Sequence, residues 1–272
     1  MFFPTELPEA WQACFAAVRR LPAFVGYRLE WVPETGSTSD DLKKDWTVDS
    51  VPARLRVAGH QTGGRGQFDR SWIDVPDSAL LCSFSLAVRL ETLQLIPMPL
   101  RVGTAIWSAL QVFIPEGDRD FFLKWPNDIW SPEGKIGGIL VESSIRGDHA
   151  DLVIGLGVNI SGMPAQESLQ ADFLQRKSPD LLSLPALLLE YCRAWDQLSD
   201  VAPEAVLTRY RLASAGMLGK RYAFSAPSHG HGEGVVVGID DQGCLVLELA
   251  GGTRQRFSSL AEPLREKKTG RP

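Results

Sequence analysis

The chain has 272 residues, 44% of them hydrophobic and 22% charged, and 28 lysines and arginines against 33 aspartates and glutamates give a formal net charge of −5. That is the composition of an ordinary globular protein, long enough for one large domain and a small one. It excludes a general basic surface for nucleic acid or anionic lipid, so any anion site must be local.

Residues 1–26 read as a short helix and a connector. The start, "MFFPTELPEAWQACFAAVRRL", lacks the basic segment and clean apolar stretch of a signal peptide. No apolar run approaches the roughly 18 residues that a membrane span needs. Cys14, Cys82, Cys192 and Cys244 stand far apart with no C-x-x-C pair, the pattern of reduced, mostly buried thiols. A cytoplasmic protein is the expectation.

"YRLEWVPE" reads as a strand and "STSDDLKKDW" as a helix capped by Ser37 or Ser39, its acidic first turn favoured by the helix dipole. "RLRVAGHQ" is a second strand. It feeds "QTGGRGQFDRSW" (Gln61 to Trp72), where three glycines surround Arg65. Glycine loses the most conformational freedom on ordering, so this segment reads as neither strand nor helix. Bare backbone N–H groups beside a guanidinium suit an anion, phosphate above all; the alternative is a flexible hairpin with an incidental arginine.

"SALLCSFSLAVRL" reads as a central strand. After the break "IPMPL", "RVGTAIWSALQVFI" has the spacing of a buried helix. "FFLKWPNDIW" reads as one strand ending in a proline turn, and "GKIGGILVESS" and "LVIGLGVNIS" as two more. "LPALLLEYCRAWDQL" and "PEAVLTRYRLAS" are helices. From about Met217 the texture becomes short alternating strands, with Asp241-Gln242-Gly243 as a hairpin turn, similar to an SH3-like barrel. The tail "REKKTGRP" reads as frayed. The fold class is therefore α+β, a mixed sheet with helices over residues 1–216 and a small β domain over 217–272.

Four further clusters place glycine or polar residues at strand ends: "GSTS" (Gly36 to Ser39), "KWPND" (Lys124 to Asp128), "GKIGG" (Gly134 to Gly138) and "GLGVN" (Gly155 to Asn159). They suit activation of an acid by a nucleotide. A carboxylate attacking an α-phosphate needs its repulsion from the phosphates removed, which calls for cations such as Arg65 and Lys135. Asp128 with Asn127 would help organise Mg²⁺. No general base is required, because the acid is already ionised.

Blander readings stand beside these. Lys124 and Trp125 read as structural as readily as functional, and Asp128 as a turn cap. Gly155 and Gly157 alone would only relieve packing. His229 and His231 are more simply exposed than metal ligands. A Walker A motif is absent, because Ile136 follows Gly134-Lys135. Trp107, Trp130 and Trp195 read as core or partly buried aromatics.

In order, "ETGSTS", "AGHQTGGRGQFDRSW", "LKWPNDIW", "GKIGGILVES" and "IGLGVNI" resemble the signature of the biotin protein ligases, and "GEGVVVGIDDQGCLVLEL" looks like their C-terminal domain. The resemblance runs from about Trp31 to Leu264. It implies a mixed sheet related to class II aminoacyl-tRNA synthetases followed by an SH3-like barrel. It also implies a two-step reaction, in which biotin and ATP give biotinyl-5′-AMP and pyrophosphate, and biotin then passes to one lysine of a biotin carboxyl carrier domain.

Carried over, Ser37, Thr38 and Gln61 would hydrogen-bond the ureido ring and nearby parts of biotin. Gly64, Arg65 and Gly66 would wrap the carboxylate and phosphate, and Lys135 would bridge the two. Leu140, Gly155 and Gly157 would line the biotin slot. Asn127, Asp128 and Asn159 would face the adenylate and Mg²⁺, and Phe173 would lie over adenine. Gln67, Phe68 and Asp69 depart from the family, which usually continues with basic residues and a glycine. Position 67 usually holds an arginine that orders the loop and retains the adenylate. Ser39 stands where asparagine is common.

Only about thirty residues precede "EWVPETGSTS", so the winged helix of the repressor members does not fit and no DNA partner is expected. A homodimer through an exposed sheet edge is compatible with the resemblance alone. The rivals are a lipoate–protein ligase of the same fold and a non-catalytic biotin- or adenylate-binding module.

Overall fold

Runs of apolar residues in "LRVAGH", "ALLCSFSL" and "LVIGLGVN" lay down the centre of a mixed sheet. A computed structural model describes residues 7–47, 52–93, 96–164, 170–176, 182–227 and 229–267. The elements of the first part are α1 (Glu9–Val18), β1 (Arg28–Thr35), α2 (Thr38–Lys43), β2 (Arg54–Gln61), β3 (Gly64–Arg65), β4 (Ser71–Trp72), β5 (Ala79–Arg89), α3 (Leu90–Leu93) and α4 (Met98–Phe113). There follow β6 (Phe122–Lys124), β7 (Asp128–Trp130), β8 (Lys135–Arg146), β9 (His149–Asn159), α5 (Leu184–Ser199) and α6 (Pro203–Ala213). Seven strands form one sheet in the order β1-β2-β5-β9-β8-β7-β6. Only β1 and β2 run parallel; the other neighbours are antiparallel.

Central position explains the sequence of β9. It pairs with β5 on one side and β8 on the other, and ten of its eleven residues are buried. A strand covered on both faces reads as a continuous apolar run rather than an alternating one. Beneath the sheet, α1, α4 and α5 close the core. There Phe84 of β5 meets the Trp195 ring of α5 edge-on at 5.0 Å, and the Phe24 ring at 6.1 Å. Aromatic pairs favour this edge-to-face arrangement over a flat stack.

Four local readings need correcting. The fourth helix begins at Met98, before "RVGTAIWSALQVF", because Pro99 sits in its first turn, where the missing N–H costs nothing. "FFLKWPNDIW" is not one strand but the hairpin β6–β7, with Lys124 opposite Asp128 across the Trp125–Asn127 turn. The glycine segment is ordered as a hairpin, Gly64 pairing with Trp72 and Arg65 with Ser71. Arg265 and Glu266, expected in a frayed tail, belong to a strand that pairs with "RYAFSA"; Lys268–Pro272 lie outside the described residues.

That strand completes the second sheet: β10 (Arg221–Ala226), β11 (Gly230–Ile239), β12 (Leu245–Leu249), β13 (Arg254–Phe257) and β14 (Glu262–Glu266), all antiparallel in the order β13-β12-β11-β10-β14. Its turn at Asp240–Gly243 is held by the Asp240 carboxylate, whose Oδ1 accepts from the backbone N–H of Gln242 and of Cys244, both at 2.9 Å. Gly243 has φ +78°, which favours glycine, and lies against Leu100 and Pro97. Here the two sheets meet. Buried Trp125 Nε1 donates to the Gly243 carbonyl at 2.9 Å, and Arg211 Nε donates to the Ile239 carbonyl at 2.8 Å.

Trp125→Phe would strand a buried carbonyl and should destabilise the chain by about 1–3 kcal/mol. A lower urea midpoint in equilibrium unfolding is the expected readout; an unchanged midpoint would mean that this contact does not join the two sheets. None of the helices among the described residues is long and apolar enough to cross a membrane.

Candidate active site

The polar clusters of the sequence meet at one cleft, which encloses about 450 Å³ of space, part of it open to solvent. Its wall is built from the start of α2, the end of β2, the β3–β4 hairpin, and the facing stretches of β8 and β9. Of the residues singled out from the sequence, Ser37, Thr38, Gln61, Arg65, Gly66, Gln67, Asn127, Lys135, Leu140, Gly155 and Gly157 line it. Gly64, Asp128, Asn159 and Phe173 are not among its lining residues.

The inner end is a chain of hydroxyls. Ser37 caps α2 by accepting from the Asp40 N–H at 3.3 Å. Thr38 presents both its backbone N–H and its hydroxyl to Gln61 Oε1, at 2.8 and 3.1 Å. Beyond it, Ser83 Oγ lies 2.7 Å from Thr38 Oγ1 and 3.0 Å from Ser39 Oγ. Gln61 is fixed from behind by buried Asp74, which accepts from the Gln61 N–H at 3.3 Å and holds His60 Nδ1 at 2.8 Å. Each hydroxyl can donate or accept, so this end can meet a ligand carrying both kinds of group.

Trp72 and Ser39 can close in on the slot beside the hydroxyls because two positions of β9 lack side chains. A Cβ on Gly157 would stand 2.7 Å from the Trp72 indole, and one on Gly155 would stand 2.6 Å from Ser39 Oγ. Gly157→Ala would push Trp72 off the slot, an overpacking cost of roughly 1 kcal/mol. For the ligand proposed below, this should raise KM about fivefold without changing kcat. A steady-state titration checks it; an unchanged KM would remove Gly157 from the binding slot.

Charge gathers at the outer end. Lys135 Nζ pairs with Asp128 Oδ1 at 2.7 Å and lies 5.9 Å from the centre of the Trp72 ring. Arg65 reaches Asp40 at 2.6 Å and Glu142 at 3.0 Å, and the hydrogen bond to Asp40 leads the effects that raise its already high pKa. Burial works against ionisation of Asp40, but hydrogen bonds and charge from Lys43 and Arg65 outweigh it and hold the carboxyl below the usual range. Lys43 also bonds both carboxylates, to Asp40 at 2.7 Å and to Glu142 at 2.9 Å. Arg65 and Lys135 therefore face one cavity, each already matched by carboxylates.

The remaining predicted residues support the wall. Asn127 Nδ2 donates to the Ile139 carbonyl at 2.8 Å and so braces β7 against β8. Asn159 Nδ2 donates to the Asp172 carbonyl at 3.1 Å, while its buried Oδ1 has no hydrogen-bond partner among the described residues. Asp172 in turn donates its N–H to the Lys135 carbonyl at 2.9 Å, tying the segment that carries Phe173 to β8. Lys124 is 5% exposed, its ammonium 3.8 Å from the centre of the Trp130 ring, and burial pushes its pKa down to about 8. Among the described residues, His229 and His231 belong to no group of metal-ligating side chains.

Sequence reasoning did not name Trp72, Ser83, Gly138, Ile139 or Leu156 as site residues, although Gly138 and Leu156 fall inside two of its glycine clusters; it gave Ser39 as a helix cap and as the residue standing where asparagine is common. Ser83 left one signal, a hydroxyl within the apolar run "ALLCSFSL" that ends up with no exposure at all. A buried hydroxyl must find partners, and its partners are the site.

Comparison with known proteins agrees with this geometry. The Biotin/lipoate A/B protein ligase family matches residues 31–159, and the Biotin protein ligase C terminal domain matches residues 228–259. A biotin--[acetyl-CoA-carboxylase] ligase of Paracoccus denitrificans is 30% identical over 203 residues, covering 70% of this chain and 82% of that protein. The ligase of the same name from Mycobacterium tuberculosis is 29% identical over 234 residues, 84% of this chain and 86% of that one. The solved biotin protein ligase of Aquifex aeolicus in complex with biotin and ATP superposes with a TM-score of 0.71 at 26% identity, covering 88% of this chain and 99% of that chain. A cleft with both cations in place, in a chain that these proteins match along most of its length, makes this protein a member of the biotin protein ligase family.

Proposed function

We propose that the chain activates biotin with ATP and transfers it to a lysine of a biotin carboxyl carrier domain. The observation that carries this reading is the shared cleft of Arg65 and Lys135, with the hydroxyl chain at its other end. Biotin has a matching polarity. Its ureido ring offers one carbonyl acceptor between two N–H donors, which suits Ser37, Thr38, Gln61, Ser39 and Ser83. Its apolar stem suits Leu140 and the Gly155–Gly157 slot. Its carboxylate then lies toward the cations.

The chemistry follows from charge. A carboxylate oxygen attacks the α-phosphorus, the bond to the pyrophosphate oxygen breaks, and biotinyl-5′-AMP and pyrophosphate result. Lys135 and Arg65 reduce the repulsion between carboxylate and phosphate and hold the charge that develops; the Gly66 N–H is committed to the Arg70 carbonyl at 2.7 Å, so Gly64 and Gly66 serve by shaping the hairpin that carries Arg65. The neutral amine of the carrier lysine then attacks the acyl carbon, the bond to AMP breaks, and an amide forms with loss of one proton. Asn159 Oδ1, a buried acceptor with no hydrogen-bond partner among the described residues, would suit the exocyclic amine of adenine. Phe173 is assigned to the adenine side on the resemblance alone. Mg²⁺ is held in many sites by one or two carboxylates together with substrate phosphates, and Asp128 beside Lys135 fits that limited demand. Bound there with the triphosphate, it would supply further charge neutralisation.

In this reading residues 1–216 form the catalytic unit, residues 217–272 the small β domain, and an edge of the seven-stranded sheet, β1 or β6, is where two copies would pair. Labelling of a purified carrier domain with biotin and ATP, run beside lipoate and ATP, tests the function. Biotin-dependent label is expected. Label from lipoate alone would replace biotin with lipoate, and ligand binding without turnover would reduce the protein to a binding module.

A further inference from the structure

Two carboxylates near the cleft each use a single oxygen to bind the same two cations. Asp40 Oδ1 takes Lys43 at 2.7 Å and Arg65 at 2.6 Å, and Glu142 Oε1 takes Lys43 at 2.9 Å and Arg65 at 3.0 Å. The second oxygen of Glu142 is buried with no hydrogen-bond partner among the described residues. Asp40 and Lys43 lie on α2 and Glu142 lies on β8, so the square spans two elements, and the cleft-lining Arg65 brings in the glycine hairpin as the third. The side chains of Lys43 and Glu142 are 17% and 20% exposed, against 40% for Arg65.

We propose that Asp40 and Glu142 are placeholders for the ligand's anionic groups, and that Lys43 is the positioning residue that lets Arg65 leave them. The inference rests on the reading that Arg65 serves an anionic ligand in this cleft. Two donors of Arg65 are committed to carboxylates, so an arriving carboxylate or phosphate must compete for the guanidinium. If Arg65 were the only cation present, its departure would leave two adjacent carboxylates facing each other, one of them largely buried. Such like-charge burial is costly. Because Lys43 already bonds the same two oxygens, it neutralises them when Arg65 is drawn away, and the exchange becomes cheap. The less exposed cation is thus the fixed one and the more exposed cation the mobile one.

Opposite signs in two variants separate this role from simple structural support. In biotin-dependent pyrophosphate–ATP exchange, Lys43→Met should raise KM for biotin and ATP about three- to fivefold with kcat nearly unchanged, because Arg65 is then held more tightly by the carboxylates. Glu142→Gln should lower KM, because Arg65 loses a competitor. The double variant should return toward wild type, and Lys43→Arg should rescue. If both single variants raise KM and their effects add, the square is a structural brace and the inference fails. A Lys43→Met enzyme with unchanged KM also overturns it. Arg65→Ala tests the underlying site separately: full exchange activity in that variant would remove Arg65 from the reaction, whereas its loss beside an unaffected Lys43→Met would sink only the placeholder role. Urea midpoints of all variants identify any that merely fail to fold.

Discussion

Lys135→Ala should slow biotin-dependent pyrophosphate–ATP exchange by about 10²–10³-fold, the usual cost of removing one preorganised charge or donor from a site where charge develops. The position of Lys135 gives the reason. Its backbone is fixed on both sides, the N–H donating to the Gln170 carbonyl at 2.8 Å and the carbonyl accepting from Asp172 at 2.9 Å. Its ammonium is fixed by Asp128 at 2.7 Å and lies near the Trp72 ring, so little reorganisation remains when a carboxylate and a phosphate arrive. Removing it has two consequences. The ligand anions lose a shared cation, and Asp128 faces them without the ammonium that paired with it, leaving only Lys124 and the Trp130 N–H among the described residues to offset its charge. Lys135→Ala combined with Asp128→Asn separates the two. Recovery of about tenfold in the double variant would assign that part to Asp128 repulsion, and the remainder to direct contact with the reacting groups. A loss below tenfold for Lys135→Ala alone would take the residue out of the chemistry.

Much of this site was legible in the sequence because its residues stand at strand ends, where local patterns are informative. Glycine beside a basic residue, as in "GRG" and "GKIGG", marks a backbone that something must approach closely. Gly138 shows this in "GKIGG", since a Cβ there would stand 3.0 Å from Lys135 Nζ; Gly157 makes room in the same way for Trp72. What the sequence hid were partnerships across long chain separations. Glu142 lies 99 residues from Lys43 and was read as one more polar residue of a strand, yet β8 carries it beside α2. Ser83 lies 45 residues from Thr38 and is visible only as an oddity in an apolar run. Strand β14 escaped notice because "EPLRE" has no alternation of its own; its pairing comes from β10, which supplies a partner edge. Periodicity reports the face that an element buries. It does not report which other element waits on that face.

Gln67→Arg should slow the escape of free biotinyl-AMP by about 10- to 150-fold, the worth of one added charge-assisted hydrogen bond of roughly 1.5–3 kcal/mol. Gln67 lines the cleft and begins the turn that closes the β3–β4 hairpin, where the Arg70 N–H donates to the Gln67 carbonyl at 3.3 Å. Phe68 and Asp69 inside that turn hold φ of 58° and 56°, a left-handed conformation that non-glycine residues adopt at a cost. The hairpin is therefore shaped by its own backbone, and an arginine at position 67 would inherit a defined direction toward the cleft. Its charge would also be new in kind. Three cations at or beside the cleft, Arg65, Lys43 and Lys135, are each already paired with Asp40, Glu142 or Asp128, whereas Gln67 is uncharged and belongs to none of these pairs, so a guanidinium at position 67 would add to the positive charge of the site. That added cation would act on the phosphate of the adenylate, and its effect should weaken as salt is raised. Gln67→Glu should act in the opposite sense and hasten release. Chasing radiolabelled biotinyl-AMP from each enzyme with unlabelled ligand, at low and high salt, measures all three. Equal release from wild type and Gln67→Arg would mean that the loop does not hold the adenylate through position 67, and would move the retention to Arg65 and Lys135 alone.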